Sequence, residues 1–320
     1  MLNTKLLLLE IYTYMAKNIH LKCPACNKNN LNDNFIISRK TFNSLSGYKY
    51  LRCKSCSTIY LCDKKITSEE LTKLHSKYWT LKKQFQFKKK KIPNKQINEW
   101  QKNLKKLVKG KKNALDIGCG KGIISHALSN LGLNKIYAFD VNLSETYKKS
   151  KKVIFFNSDF ENFEKRNEII NKKFDLIMLM GVLEHSFEPN KLIKKIKLFS
   201  SKKTKILVLV PNSNWLQIMH LKNYAWSMEA PFHRTLFSFK GLNQLFKKNN
   251  FEIKKIDNQI KMWGWTKRIS EFNNNKSIYK KLREDKNFRR YDFIVDDFLE
   301  TISIKMNLAP YIFVEAKLKK

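Results

Sequence analysis

Asn113-Ala114-Leu115-Asp116-Ile117-Gly118-Cys119-Gly120-Lys121-Gly122 is the stretch from which the fold is read. Its first five residues form a short apolar strand, its end is a Gly-rich turn, and Ile123 to Leu131 continues at helical spacing. A strand, a turn that bares its backbone and a helix make the opening unit of a Rossmann-like α/β sheet. The ligand crevice of such a sheet lies at the carboxyl ends of the strands. Working outward, apolar strands are expected at Lys135 to Phe139, Val153 to Phe156, Phe174 to Met180 and Ile206 to Val210.

The glycine spacing is GxGxG, with Ile123 where GxGxxG would place its third glycine. Together with Asp116 ahead of the first glycine, this favours S-adenosylmethionine over a dinucleotide, whose pyrophosphate uses the other pattern. Asp140 closes the second strand 22 residues beyond Gly118, where a carboxylate accepts both ribose hydroxyls. Asp159 follows the third strand, placed to accept the adenine amino group, with Phe160 near the ring. The expected cofactor residues are therefore Asp116, Gly118, Gly120, Gly122, Asp140, Asp159 and Phe160.

Residues 113 to 257 and the final strand Pro310 to Ala316 resemble class I S-adenosylmethionine-dependent methyltransferases. More narrowly, the chain is similar to bacterial methyltransferases with a zinc ribbon in front, often associated with cell-surface sugar or lipid biosynthesis. Asp116 to Gly122 match the first motif of the family, and Leu183-Glu184-His185 with Pro189 match the motif after the fourth strand. Pro211-Asn212, Pro231-Phe232-His233, Phe237 and the helix Phe239 to Lys248 match the later part. The resemblance implies a doubly wound seven-stranded sheet with its last strand antiparallel. It also implies a small-molecule, sugar or lipid-intermediate acceptor, with O-methylation favoured. One departure is Gly181, a position commonly Glu in the related quinone O-methyltransferases, where that Glu joins the next Glu-His pair around a divalent ion. Glycine offers no side-chain ligand, which argues against metal assistance at Glu184 and His185.

Ahead of this domain, Cys23-Pro24-Ala25-Cys26 and Cys53-Lys54-Ser55-Cys56 form two C-x2-C turns with 26 residues between them. Two such turns supply the four thiolates that a structural Zn2+ takes as a tetrahedron, and a site so filled leaves no open position for catalysis. Asn27 and Ser57 stand where a knuckle usually has glycine. Asn34 to Ser38, Tyr48 to Arg52 and Tyr60 to Cys62 read as short strands of a zinc ribbon, with Cys62 a buried apolar residue rather than a fifth ligand. The expected organisation is 1–66 for the N-terminal segment and ribbon, 67–112 for a helical connector and 113–320 for the transferase domain, with insertions at about 213–236 and 273–306. In the connector, Ser68-Glu69-Glu70 reads as a capped helix start and Ile97, Trp100, Leu104 and Leu107 recur at helical spacing, while Tyr78-Trp79 reads as core.

A methyl acceptor hydroxyl benefits from a general base, and histidine is the usual one. His185, just past the fourth strand, is read as that base or a substrate contact, against packing beneath the cofactor or capping the next helix. His233, in a loop among aromatics, is read as the base or a substrate contact. The first insertion, with Asn214, Trp215, Tyr224, Trp226 and Met228, reads as a lid over the acceptor, favoured over a second small core. The second is helical by Tyr279 and Leu282 and again by Tyr291, Ile294, Phe298 and Ile302, and serves dimerisation or pocket closure.

Composition sets the remaining bounds. A hydrophobic share of 42% with 12% aromatics excludes a disordered chain. The net charge of +37 comes from 64 basic residues, of which only eight are Arg, and the lysines are spread along the chain apart from the run Lys88 to Lys91. That is the pattern of an A/T-rich coding bias more than of a polyanion surface, so nucleic acid is not the favoured partner. An RNA methyltransferase with a zinc-ribbon RNA-binding module is the rival reading, and a non-catalytic S-adenosylmethionine-binding protein the rival of another class. Leu6 to Leu9 is far short of a membrane span, residues 1–14 read as an over-called extension before Met15, and a soluble, cytoplasmic protein is expected.

Overall fold

The computed structural model describes residues 20–30, 35–41, 44–63, 67, 69–71, 73–74, 94–141, 143, 151–158, 167–256, 265–282 and 284–319. Residues 1–14, Tyr78, Trp79, Asp159 and Phe160 lie outside them. In chain order the elements are β1 (Ile36–Ile37), β2 (Lys49–Arg52), β3 (Ile59–Leu61), α1 (Asn94–Leu104), β4 (Asn113–Ile117), α2 (Ile123–Asn130), β5 (Lys135–Asp140), β6 (Val153–Asn157) and β7 (Leu176–Met180). There follow α3 (Pro189–Leu198), β8 (Lys205–Pro211), α4 (Leu216–Leu221), β9 (Thr235–Leu236), α5 (Phe239–Lys248), β10 (Phe251–Lys255), α6 (Trp265–Phe272), α7 (Lys276–Leu282), α8 (Lys286–Lys305) and β11 (Tyr311–Leu318). They divide into two compact units.

One unit holds the seven-stranded sheet, in the order β10-β11-β8-β7-β4-β5-β6. The pairs β4/β5, β5/β6, β4/β7 and β7/β8 are parallel, and β11 runs antiparallel to β10. The central strands NALDI, LIMLM and KILVLVP are almost wholly buried because a parallel sheet is covered on both faces. By contrast β10, FEIKK, alternates buried and solvent-facing residues, as an antiparallel edge strand does. The chain builds outward from β4 through β5 to β6, then returns to place β7 on the other side of β4. The strand order therefore reverses between β4 and β7, and it is at such a switch point that a crevice opens for a ligand. This is the doubly wound seven-stranded α/β sheet that the Gly-rich stretch and the resemblance lead one to expect.

The other unit is formed by the described residues of Met1–Leu71, Pro211–Leu242 and Asn258–Ile312. Its antiparallel sheet, β1-β2-β3-β9, takes its first three strands from the ribbon and its fourth from Thr235–Leu236, far downstream. Tyr50, Ile59 and Leu61 of the ribbon share one core with Trp215, Met228, Leu236 and Trp265, and Trp215 meets Trp265 edge to face at 6.0 Å. Polar ties cross the same seam: the Arg52 guanidinium donates to the Ser213 carbonyl at 3.0 Å and to Asn214 Oδ1 at 3.2 Å. The lid expected at Asn214 to Met228 is thus corrected to the other reading, a core. A ribbon of this size buries too little apolar surface to exclude water unaided, and Trp215 and Met228 complete it. In the connector, Thr67 caps the helix start, and Ser68 lies outside the described residues. Thr67 Oγ1 accepts from Glu70 N at 3.1 Å while Glu70 Oε2 accepts from Thr67 N at 2.8 Å, a reciprocal capping box.

Candidate cofactor crevice and cysteine cluster

The turn after β4 carries three glycines with positive φ, of 67°, 55° and 68° at Gly118, Gly120 and Gly122. At Gly118 a Cβ would stand 2.4 Å from Val182 Cγ2, so only glycine lets this turn meet the segment that follows β7. At Gly120 a Cβ would meet no atom within 4 Å, so the bare backbone faces open space where a ligand can approach it. Asp140, the last residue of β5, accepts from Gly120 N at 2.8 Å through Oδ2, and Cys119 N donates to the Phe139 carbonyl at 2.9 Å. The ends of β4 and β5 thereby bring Gly118, Gly120, Gly122 and Asp140 together at the carboxyl edge.

Asp116 stands behind this loop. It is buried, and its Oδ2 accepts from Ser125 Oγ in the first turn of α2 at 2.5 Å. No signal in the sequence pairs Ser125 with Asp116; α2 delivers it. Burial pushes the Asp116 carboxyl up to about 7, against the pull of the Ser125 bond. Between the unfolded value of ~3.9 and that raised value the folded chain holds the proton more tightly than the unfolded one, so stability falls as pH rises through this window. We expect the cofactor-free protein to lose up to about 1.4 kcal/mol per pH unit from this group between about pH 4 and 7. Asp116→Asn, which keeps an acceptor for Ser125, should flatten that part of the profile in chemical denaturation. An unchanged slope would show that other groups set it.

After β7 the chain turns through Gly181 and Val182 into a single 3-10 turn, Leu183–His185, in which Glu184 is buried and His185 is half-buried. Gly181 N donates to the Leu209 carbonyl at 2.9 Å, fixing the turn to the end of β8. His185 therefore lies at the same carboxyl edge as the glycine loop. The contact of Val182 with Gly118, invisible in the sequence, sets how closely the two turns approach.

His233 belongs to the other unit. Its Nδ1 lies 2.8 Å from the Ser227 carbonyl and its Nε2 lies 3.2 Å from Glu229 Oε2. A carbonyl only accepts, so Nδ1 donates to Ser227. These two contacts tie the ring to its own loop.

The four cysteines expected to bind metal are brought together: their Sγ atoms all lie within 4.8 Å of one another. Cys23 and Cys56 are 3.7 Å apart and Cys26 and Cys53 are 3.6 Å apart. A Zn–S distance of about 2.3 Å makes the edge of a thiolate tetrahedron about 3.8 Å, so the cluster fits the ion. Both turns are built alike. Asn27 N and Ser57 N donate to the carbonyls of Cys23 and Cys53 at 2.8 Å, and Asn27 and Ser57 adopt φ of 63° and 62°, filling the usual place of glycine. The bond from Cys23 draws the Cys56 thiol down to about 5, while Cys23 is raised by that bond and by burial. Burial pushes the Cys62 thiol up to about 12, and it donates to the Lys49 carbonyl, as a structural residue outside the ligand set. The first turn of α5 lies over the second knuckle, where a Cβ on Gly241 would stand 2.1 Å from Thr58 Oγ1 and 3.2 Å from Cys56 Sγ.

The family described as "Methyltransferase domain" matches residues 93–256, half of the 320-residue chain, and the chain belongs to that family. A curated relative, the mitochondrial ubiquinone biosynthesis O-methyltransferase of Dictyostelium discoideum, is 29% identical over 97 residues. That match spans 25% of this chain and 29% of the relative's length. Among solved structures, a plantazolicin methyltransferase in complex with SAH aligns at 15% identity over 79% of this chain and 91% of its own, with a TM-score of 0.43. The 1,6-didemethyltoxoflavin-N1-methyltransferase of Burkholderia thailandensis aligns at 11% identity over 83% and 97%, with a TM-score of 0.48.

Proposed function

We propose that this chain transfers the methyl group of S-adenosylmethionine to a small-molecule, sugar or lipid-intermediate acceptor, with oxygen as the acceptor atom. The observation that carries the reading is the bond between Asp140 and Gly120 N at the switch point of the sheet, which couples a ribose-binding carboxylate to the bare glycine turn. S-adenosylmethionine supplies an activated methyl on a sulfonium, so the protein's task is alignment in a water-poor crevice. In this reading Asp140 accepts the ribose hydroxyls and Gly118, Gly120 and Gly122 let the cofactor lie against backbone. Asp116, with Ser125, holds α2 behind that turn, and Asp159 and Phe160 serve the adenine. His185 takes the acceptor's proton. His233 is the other candidate, as the base or as a contact to the acceptor.

Cys23, Cys26, Cys53 and Cys56 hold a structural Zn2+. Thiols committed to a metal support a reducing, cytoplasmic setting. Among the described residues no helix is long and apolar enough to cross a membrane.

Calorimetry on the zinc-loaded chain should find one site for S-adenosylmethionine and for its demethylated product; no binding of either overturns the proposal. His185→Ala should lower turnover roughly a hundredfold with cofactor affinity nearly intact. Labelled methyl recovered in RNA, rather than in small molecules or lipid extracts, would replace the acceptor class.

A further inference from the structure

The 20-residue helix α8 is amphipathic the wrong way round. Its buried side is acidic: Asp292, Asp296 and Glu300 are 5%, 5% and 0% exposed. Tyr291, Ile294 and Phe298, three and four residues apart on the opposite side, are 63%, 55% and 62% exposed. The orientation is pinned from within by α6. Trp265 Nε1 donates to Glu300 at 2.8 Å, Thr266 N donates to Asp296 at 2.9 Å, and Thr266 Oγ1 donates to Asp292. Rolling the helix to hide its aromatics would strip these bonds and leave buried carboxylates unsatisfied.

This surface is concentrated and charged. Eight of the fourteen exposed large hydrophobic residues among those described lie between positions 272 and 306, so exposed apolar surface is concentrated in this helical segment. α7 adds Ile278 and Leu282, one turn apart. In the same segment the exposed cations are Lys280, Lys281, Lys286, Arg289, Arg290 and Lys305. Three of these occupy the first turns of α8, where they oppose the helix dipole, so helix stability does not account for them. The exposed acids nearby are Glu284 and Asp285, and Asp285 caps α8 through Asn287 N and Phe288 N.

We infer that α7 and α8 dock on an anionic lipid surface, with Tyr291, Ile294 and Phe298 entering the headgroup–acyl boundary and the flanking Lys and Arg meeting the lipid charge. An outward apolar stripe rimmed by cations is what an interfacial helix presents, and such a helix lies on a bilayer without spanning it. A second copy of the chain is the lesser fit, because it would bring the same cations and another +37 against this face, whereas anionic lipid neutralises them. The inference stands apart from the methyl-transfer reading, since surface binding is measured without turnover.

The test is vesicle flotation of the full zinc-loaded chain at ~150 mM salt, where charge alone is substantially screened. Vesicles of equal phosphatidylglycerol and phosphatidylcholine should bind at least about tenfold better than phosphatidylcholine alone. The exposed double substitution Ile294→Ser, Phe298→Ser should lower that binding at least about tenfold while leaving the far-ultraviolet circular dichroism unchanged. Tyr291→Trp should be quenched by brominated acyl chains only in the anionic vesicles. Undiminished binding by the double variant would assign adsorption to lysines elsewhere and overturn the inference. Absence of binding, or a chain dimer that the same double variant dissociates, would also overturn it.

Discussion

Cys53→Ser, or removal of the metal by a strong chelator, is expected to unfold far more than a cysteine turn. The free energy of a structural Zn2+ in a small module is on the order of 10 kcal/mol, comparable with the whole stability of a domain. In this chain the ribbon strands β2 and β3 pair with each other and with β9, and Tyr50, Ile59 and Leu61 share their core with Trp215, Met228 and Trp265. Loss of the ion should therefore remove hydrogen-exchange protection from β2 and β3 and carry it away from α4, β9 and α6 as well. Mass spectrometry of exchanged peptides reads this directly, and α4 and α6 retaining native protection in the metal-free protein would show that the ion acts only locally. One zinc per chain should be released, and β4, β5 and β7, which lie in the other compact unit, give the internal reference.

Asp140→Ala should weaken S-adenosylmethionine binding roughly a hundredfold or more. A hydrogen bond to a charged acceptor contributes about 1.5–3 kcal/mol, and the carboxylate is proposed to accept two from the ribose. The same change also leaves Gly120 N without the acceptor it has at 2.8 Å, loosening the turn. Asp140→Asn, which keeps an acceptor for Gly120 N, should lose less. Titration calorimetry on both variants gives the order, and equal affinities for the two would mean that charge on the ribose, not tethering of the glycine turn, is what Asp140 supplies. Because the side chain sits at the end of β5 rather than in the sheet core, neither change should alter cooperative unfolding.

The glycine turn was legible because its signals are local. Positive φ at Gly118, Gly120 and Gly122 requires glycine in one short window, and the apolar run of β4 announces its strand. Asp140 follows at the end of the next strand because parallel strands of similar length put their carboxyl ends on one edge. The two cysteine turns are legible for the same reason, each a short loop whose geometry is fixed by its own hydrogen bonds. Less was visible where partners are distant. Ser125 beneath Asp116 and Val182 against Gly118 carry no mark of those contacts in the sequence.

The sequence by itself determined a doubly wound α/β sheet, a glycine turn with the Asp140 carboxylate at the end of the next strand and a four-cysteine cluster, all of them set by residues whose backbone geometry or spacing admits few alternatives. Only the tertiary structure decided that Thr235–Leu236 completes the ribbon sheet, that Trp215 and Met228 build a core instead of a lid, and that α8 turns its acids inward and its aromatics outward. Periodicity reports that a helix has two faces. Which face is buried depends on what the neighbouring element offers, and here Trp265 and Thr266 offer donors that claim the carboxylates.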